Sequence, residues 1–120
     1  MPETREVLAY GRIAVGAGTL LAPRTAGRLF GLKETDNPAA QYLGRLFGAR
    51  DVVLGVGLLT APKKTRSLWW QAVIACDLID VVSGLIAVRD EAATMPQAAM
   101  LPLAAAAYAA GGIAGMQADG

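Results

Sequence analysis

The stretch GRLFGARDVVLG, residues 44–55, places ionisable groups inside an apolar segment long enough to cross a lipid bilayer. Arg45, Arg50 and Asp51 all lie in an apolar run that extends from about residue 42 to residue 61. A bilayer core of about 30 Å needs roughly 20 apolar helical residues, and charges there are costly unless they are paired or face a polar cavity. The stretch therefore predicts a membrane helix whose charges meet partners on neighbouring helices.

Glycine spacing in the same stretch indicates which side of the helix faces a neighbour. Gly44, Gly48, Asp51 and Gly55 follow i, i+4, i+7, i+11 spacing, so they share one helix face. Small residues let helix backbones approach closely in lipid, where dispersion contacts replace the hydrophobic effect. We therefore expect Asp51 to face a second helix and not lipid.

Three further apolar runs accompany this segment. They are too long and too rich in alanine and leucine for strands, and unpaired strands do not occur in lipid. The short turn between the second and third runs makes them antiparallel neighbours. The prediction is an all-α fold, a four-helix transmembrane bundle in one membrane domain of residues 1–120. Its four spans cover approximately residues 7–22, 42–61, 67–88 and 97–116, with an interfacial linker at 24–41.

Composition supports this class of protein and excludes others. Hydrophobic residues make up 54% of the 120 residues and charged residues 18%, against about 25% charged in soluble domains. The net charge of +1 does not provide the basic surface that nucleic-acid binding requires, so the expected partner is the lipid bilayer. Histidine is absent and Cys76 is the single cysteine, which removes the commonest general base and any cysteine-based zinc site. No cofactor or metal is expected.

Six charged residues inside the apolar runs are the candidate functional groups. They comprise three cations and three anions, which predicts one internal network. Arg12, Arg50, Asp51 and Asp77 are expected to converge in a polar cavity, with Asp80 and Arg45 at its edge. The candidate catalytic residues are therefore Arg12, Arg50, Asp51, Asp77 and Asp80, flanked by Arg45, Cys76 and Ser83.

Three functions are compatible with such a network. In the first, it lines a pocket for a small lipophilic molecule, and one carboxyl of the Asp77/Asp80 pair acts as general acid or base. Arg12 or Arg50 would stabilise developing negative charge, as in epoxide opening, isomerisation or cyclisation. In the second, the carboxylates bind and release protons or cations during transport. In the third, the charges only fix helix packing in a structural subunit, although the desolvation cost argues against this as the whole explanation.

The quoted motifs also resemble a known group. GARDVVLG at 48–55, LLAP at 20–23 before FGL at 30–32, and DLID at 77–80 resemble an uncharacterised family of short four-span integral membrane proteins, similar to the DoxX-like group. The similarity covers roughly residues 8–90. It implies a multi-pass helical bundle in the cell membrane and carries over no catalytic residues. The glycine faces of so small a bundle further predict a homo-oligomer.

Overall fold

The computed structural model describes residues 4–29, 36–89 and 100–119, which fold into five α-helices. The all-α prediction is confirmed. The helices are α1 (Thr4–Leu21), α2 (Pro23–Leu29), α3 (Pro38–Thr60), α4 (Lys63–Arg89) and α5 (Met100–Asp119).

The region predicted as a linker contains helical structure that sequence reasoning did not assign. It holds the short helix α2 and the first turn of α3. Asn37 explains the early start of α3, because its side chain accepts a hydrogen bond from the Ala39 N–H at 2.8 Å. Pro38 follows at the first helical position, where a missing N–H costs nothing. The predicted start of the fourth span, residues 97–99, lies outside the described residues.

Helices α1 and α3 pack with their backbones in close contact. A Cβ atom on Gly16 would lie 2.7 Å from the Gly48 carbonyl oxygen, and one on Gly48 would lie 2.6 Å from the Gly16 carbonyl oxygen. Two turns further along, a Cβ atom on Gly55 would lie 2.9 Å from the Ala9 carbonyl oxygen. The glycine face predicted for α3 is therefore its contact with α1, and it turns Asp51 toward that helix.

Helices α4 and α5 form a second antiparallel pair. Gly115 of α5 leaves room for the buried indole of Trp70, since a Cβ atom there would lie 2.5 Å from its ring. Contacts between α3 and α4 are few, although a short turn joins them. The bundle thus consists of two helix pairs, α1/α3 and α4/α5. A core of apolar side chains lies between the pairs, formed by Ala9, Leu54, Leu58, Trp70 and Val73.

The outer surface of the bundle is strongly apolar. Helix α4 is long and apolar enough over Lys63–Ile86 to cross a membrane, as judged by length and composition, with a mean hydropathy of 1.5. Only 22% of its most apolar part is buried inside the protein. Large exposed apolar side chains of α4 include Leu78, Ile79 and Val82, and those of the other long helices include Val7, Leu21, Leu43, Val53 and Leu103.

Candidate functional site

Arg12 lies at the centre of a buried polar network between the two helix pairs. Its Nη2 atom donates to Asp77 Oδ2 at 2.6 Å, and its Nη1 atom donates to Asp51 Oδ1 at 3.4 Å. These three side chains are 3–6% exposed. Arg12 comes from α1, Asp51 from α3 and Asp77 from α4, so a single guanidinium connects three helices.

Arg50 forms the second half of the network. Its Nη1 and Nη2 atoms bind the two oxygens of Asp80 at 3.0 and 2.7 Å, a bidentate geometry that suits the planar guanidinium. Nη2 also donates to Asp51 Oδ1 at 3.3 Å. This part is more open, with the Arg50 and Asp80 side chains 31% and 25% exposed. Asp51 therefore lies between the arginines, and one of its oxygens accepts from both.

Two aromatic rings complete the surroundings of the guanidiniums. Arg12 Cζ lies 5.0 Å from the ring centre of Tyr108 on α5, and Arg50 Cζ lies 4.6 Å from that of Phe47. Cation–π contacts of this kind are strongest where water is excluded. Sequence reasoning did not assign either ring to the site. The available signal for Tyr108 was its position as the single aromatic residue in an alanine- and glycine-rich helix.

The structure brings together five of the eight residues singled out from the sequence: Arg12, Arg50, Asp51, Asp77 and Asp80. Asp80 belongs to the network itself and not to its edge, because the long Arg50 side chain reaches across to α4. The participation of these five residues in chemistry stays a prediction.

The other three residues lie apart from the network. Arg45 is exposed, five residues and about 7.5 Å nearer the start of α3 than Arg50 at a rise of 1.5 Å per residue. Ser83 is exposed, and Cys76 is half-buried against the apolar core. Without Arg45, the expected balance of three cations and three anions becomes two guanidiniums and three carboxylates. The network thus has a formal excess of one negative charge.

A small cavity lies beside Arg12. Its volume is about 10 Å³, close to the space that one water molecule requires. Within residues 4–29, 36–89 and 100–119, no group of three or more His, Cys, Asp or Glu side chains is arranged to hold a metal ion. The cavity is lined by Leu8, Arg12, Leu58, Trp70, Val73, Tyr108 and Gly112.

A second polar cluster, which we call the end cluster, lies where α1 and α4 begin and where α3 and α5 end. Arg66 Nη1 and Trp70 Nε1 donate to the two oxygens of Asp119 at 3.1 and 2.9 Å. Arg5 Nη1 donates to the Leu58 and Leu59 carbonyl oxygens at 3.1 and 2.8 Å, where the dipole of α3 favours a cation. Burial acts to raise the pKa of Asp119, but the hydrogen bonds from Trp70 and Arg66 outweigh it and hold the pKa below its ordinary value.

Asp119→Asn is expected to lower Tm at neutral pH by several degrees, and acid should remove the difference from wild type. Because the folded pKa of Asp119 is lower than its ordinary value of 3.8, its ionised carboxylate stabilises the fold fully above pH 3.8. This contribution is lost as the pH falls through the lower folded pKa. Thermal unfolding at neutral pH and at a series of acid pH values below 3.8 measures the effect. Asp36→Asn, at an exposed carboxylate, is the control, and a wild-type advantage that persists unchanged in acid would contradict the prediction.

The fold and the site together define an all-α bundle built around a buried arginine–aspartate network. The chain belongs to the family described as "Domain of unknown function (DUF4267)", whose model matches residues 9–116. The match begins in α1 and ends in α5, so it includes all five network residues. No curated protein and no solved structure gives a significant match.

Proposed function

We propose that this protein is a multi-pass protein of the cell membrane, and the distribution of its charges supports this. In the described residues, the charges outside the network lie toward the two ends of the bundle. One end has Arg5, Glu6, Lys63, Lys64, Arg66 and Asp119; the other has Arg24, Arg28, Asp36, Arg45 and Arg89. Between them, the charges of the network are paired with one another, as ionisable groups in lipid must be.

The lengths and outer faces of the helices support the same topology. The four long helices have 18, 23, 27 and 20 residues, or about 27–40 Å at 1.5 Å per residue, against a bilayer core of about 30 Å. A soluble monomer rarely exposes continuous apolar surface on every side. The resemblance to DoxX-like proteins implies the same four-span arrangement. The lipid bilayer is then the principal partner, and the homo-oligomer stays a prediction.

Within this topology, we propose that the network serves proton-coupled exchange of a monovalent cation. The observation that carries the proposal is the count of three carboxylates to two guanidiniums. A net charge of −1 in a region of low dielectric is costly, so it favours the binding of one positive charge. A proton and a cation would compete for this charge, which is the condition for exchange. Transporters commonly place such residues near mid-depth of the bilayer, and the network residues lie in the interior of α1, α3 and α4, away from the helix ends.

Acid–base chemistry on a lipophilic molecule is the other functional hypothesis from the sequence. The cavity beside Arg12 has room for about one water, so it does not accommodate a lipophilic substrate. The guanidiniums that would stabilise negative charge are already bound to carboxylates. These two observations favour cation exchange over this chemistry.

Liposomes containing the purified protein and a trapped pH-sensitive dye test the exchange. Adding sodium chloride or potassium chloride outside is expected to dissipate an imposed pH gradient several-fold faster than in protein-free vesicles. Asp51→Asn, which removes the excess charge, should abolish the acceleration, and Asp36→Asn should retain it. Rates equal to those of protein-free vesicles with both salts would overturn the exchange. Recovery of the protein from cells without detergent would overturn the membrane location.

A further inference from the structure

We infer that Asp51 is the residue that carries the exchangeable proton of the network, an inference that rests on the proposed exchange function. The distances separate Asp51 from the other two carboxylates. Asp77 and Asp80 each accept from an arginine nitrogen at 2.6 and 2.7 Å, whereas the arginine nitrogens nearest to Asp51 are at 3.4 and 3.3 Å, and the nearer of these, Arg50 Nη2, is shared with Asp80. The weakest ion pairs in the network therefore belong to Asp51.

Charge balance agrees with this assignment. With a proton on Asp51, the network consists of one neutral acid and two complete ion pairs, Arg12–Asp77 and Arg50–Asp80. Placing the proton on either of the other carboxyls would disrupt the short contact between that residue and its arginine. Asp51 gains the proton from water and returns it to water, and no other covalent bond changes.

Groups on every neighbouring helix determine how readily Asp51 accepts the proton. Arg12 of α1 and Arg50 of α3 favour the ionised form, whereas burial and the charge of Asp80 on α4 favour the protonated form. Tyr108 of α5 lies under Arg12 and presents its ring to the guanidinium.

The proton on Asp51 also affects the contact between the two helix pairs. Arg12, Arg50 and Asp51 all belong to the pair α1/α3, while Asp77 and Asp80 belong to α4. When Asp51 is ionised, it competes with α4 for both arginines. When it is protonated, both arginines bind α4 alone, so protonation strengthens the ionic contact between the pairs.

The two halves of the network differ in exposure. The Asp51 side chain is 6% exposed, whereas Arg50 and Asp80 beside it are 31% and 25% exposed. The Arg50–Asp80 pair is therefore the part of the network nearest the outer surface of the bundle.

Infrared difference spectroscopy of the reconstituted protein between acid and alkaline pH tests the assignment. The carbonyl stretch of a protonated carboxyl in an apolar site absorbs apart from that of an ionised carboxylate. We expect such a band in the wild type, its loss in Asp51→Asn and a shift in its frequency in Asp51→Glu. Asp77→Glu and Asp80→Glu, the matched controls, should leave the frequency unchanged.

A band that persists in Asp51→Asn, or that shifts in Asp77→Glu or Asp80→Glu, would overturn the assignment. The absence of a band in the wild type would do the same. The two control variants decide the matter even if Asp51→Glu fails to fold. Failure of this inference is distinct from failure of the exchange function. If the pH gradient is dissipated but the band shifts in Asp80→Glu, the exchange function is retained and the proton is assigned to Asp80 instead. If the band depends on Asp51 but the pH gradient is not dissipated, Asp51 is retained as the proton site and the exchange function is rejected.

Discussion

Arg12→Leu is expected to reduce the free energy of unfolding by about 3–5 kcal/mol, the usual cost of removing one partner from a buried ion pair. Arg12 contacts both Asp51 and Asp77 where all three side chains are almost fully buried. Its loss leaves three carboxylates facing one guanidinium. The double variant Arg12→Leu/Asp77→Leu removes one charge of each sign, so it should recover a large part of the lost stability.

Reversible unfolding of the purified protein in detergent, followed by circular dichroism, measures this effect. The coupling between the two substitutions is obtained from the double-mutant cycle. Arg45→Leu is the matched control, because it removes an exposed arginine that takes part in none of the ion pairs found in the described residues. Equal loss of stability in the single and the double variant would show that the pairing does not stabilise the fold.

Gly16→Ala is expected to destabilise the protein by about 1–3 kcal/mol or more, the range for overpacking of a close contact. The new methyl group would lie 2.7 Å from the Gly48 carbonyl oxygen and 2.8 Å from the Val52 nitrogen. Both are backbone atoms of α3, so relief requires α1 and α3 to move apart. Such a movement would also separate Arg12 from Asp51.

Gly18→Ala is the matched control for the glycine contact. Gly18 is on the same helix, and a Cβ atom there would have nothing within 4 Å. Alanine favours helix over glycine by about 1 kcal/mol, so this variant should be as stable as the wild type or more stable. Unfolding in detergent distinguishes the two variants. A Gly16→Ala protein as stable as Gly18→Ala would contradict the close packing of α1 on α3.

Much of this architecture follows from the local sequence. The spacing of Gly48, Asp51 and Gly55 identifies the α3 face that contacts α1, since small residues and a buried carboxylate on one stripe leave few alternatives. The five central charges were identified because ionisable groups inside long apolar runs are costly without partners. Arg45 was placed with them on the same argument, but its position near one end of α3 lets its long side chain remain exposed.

Other features depend on contacts that the local sequence does not specify. Pairing of Asp119 with Arg66 and Trp70 joins residues about 50 positions apart, so it depends on the packing of α5 against α4. The contact between Tyr108 and Arg12 likewise depends on tertiary packing, because the two residues lie on different helices, α5 and α1. Asn37-Pro38 is a strong start signal for α3 in the sequence, but both residues fall in the stretch 24–41 that was predicted as a linker.

The division of the charges between the two helix pairs has a consequence for biogenesis. During synthesis α1 and α3 leave the ribosome first, and at that stage Arg12 and Arg50 have one carboxylate, Asp51, between them. Asp77 and Asp80 arrive only with α4. A nascent chain ending at Thr60 therefore has an uncompensated positive charge in its first hairpin, and translation of α4 supplies the carboxylates that neutralise it.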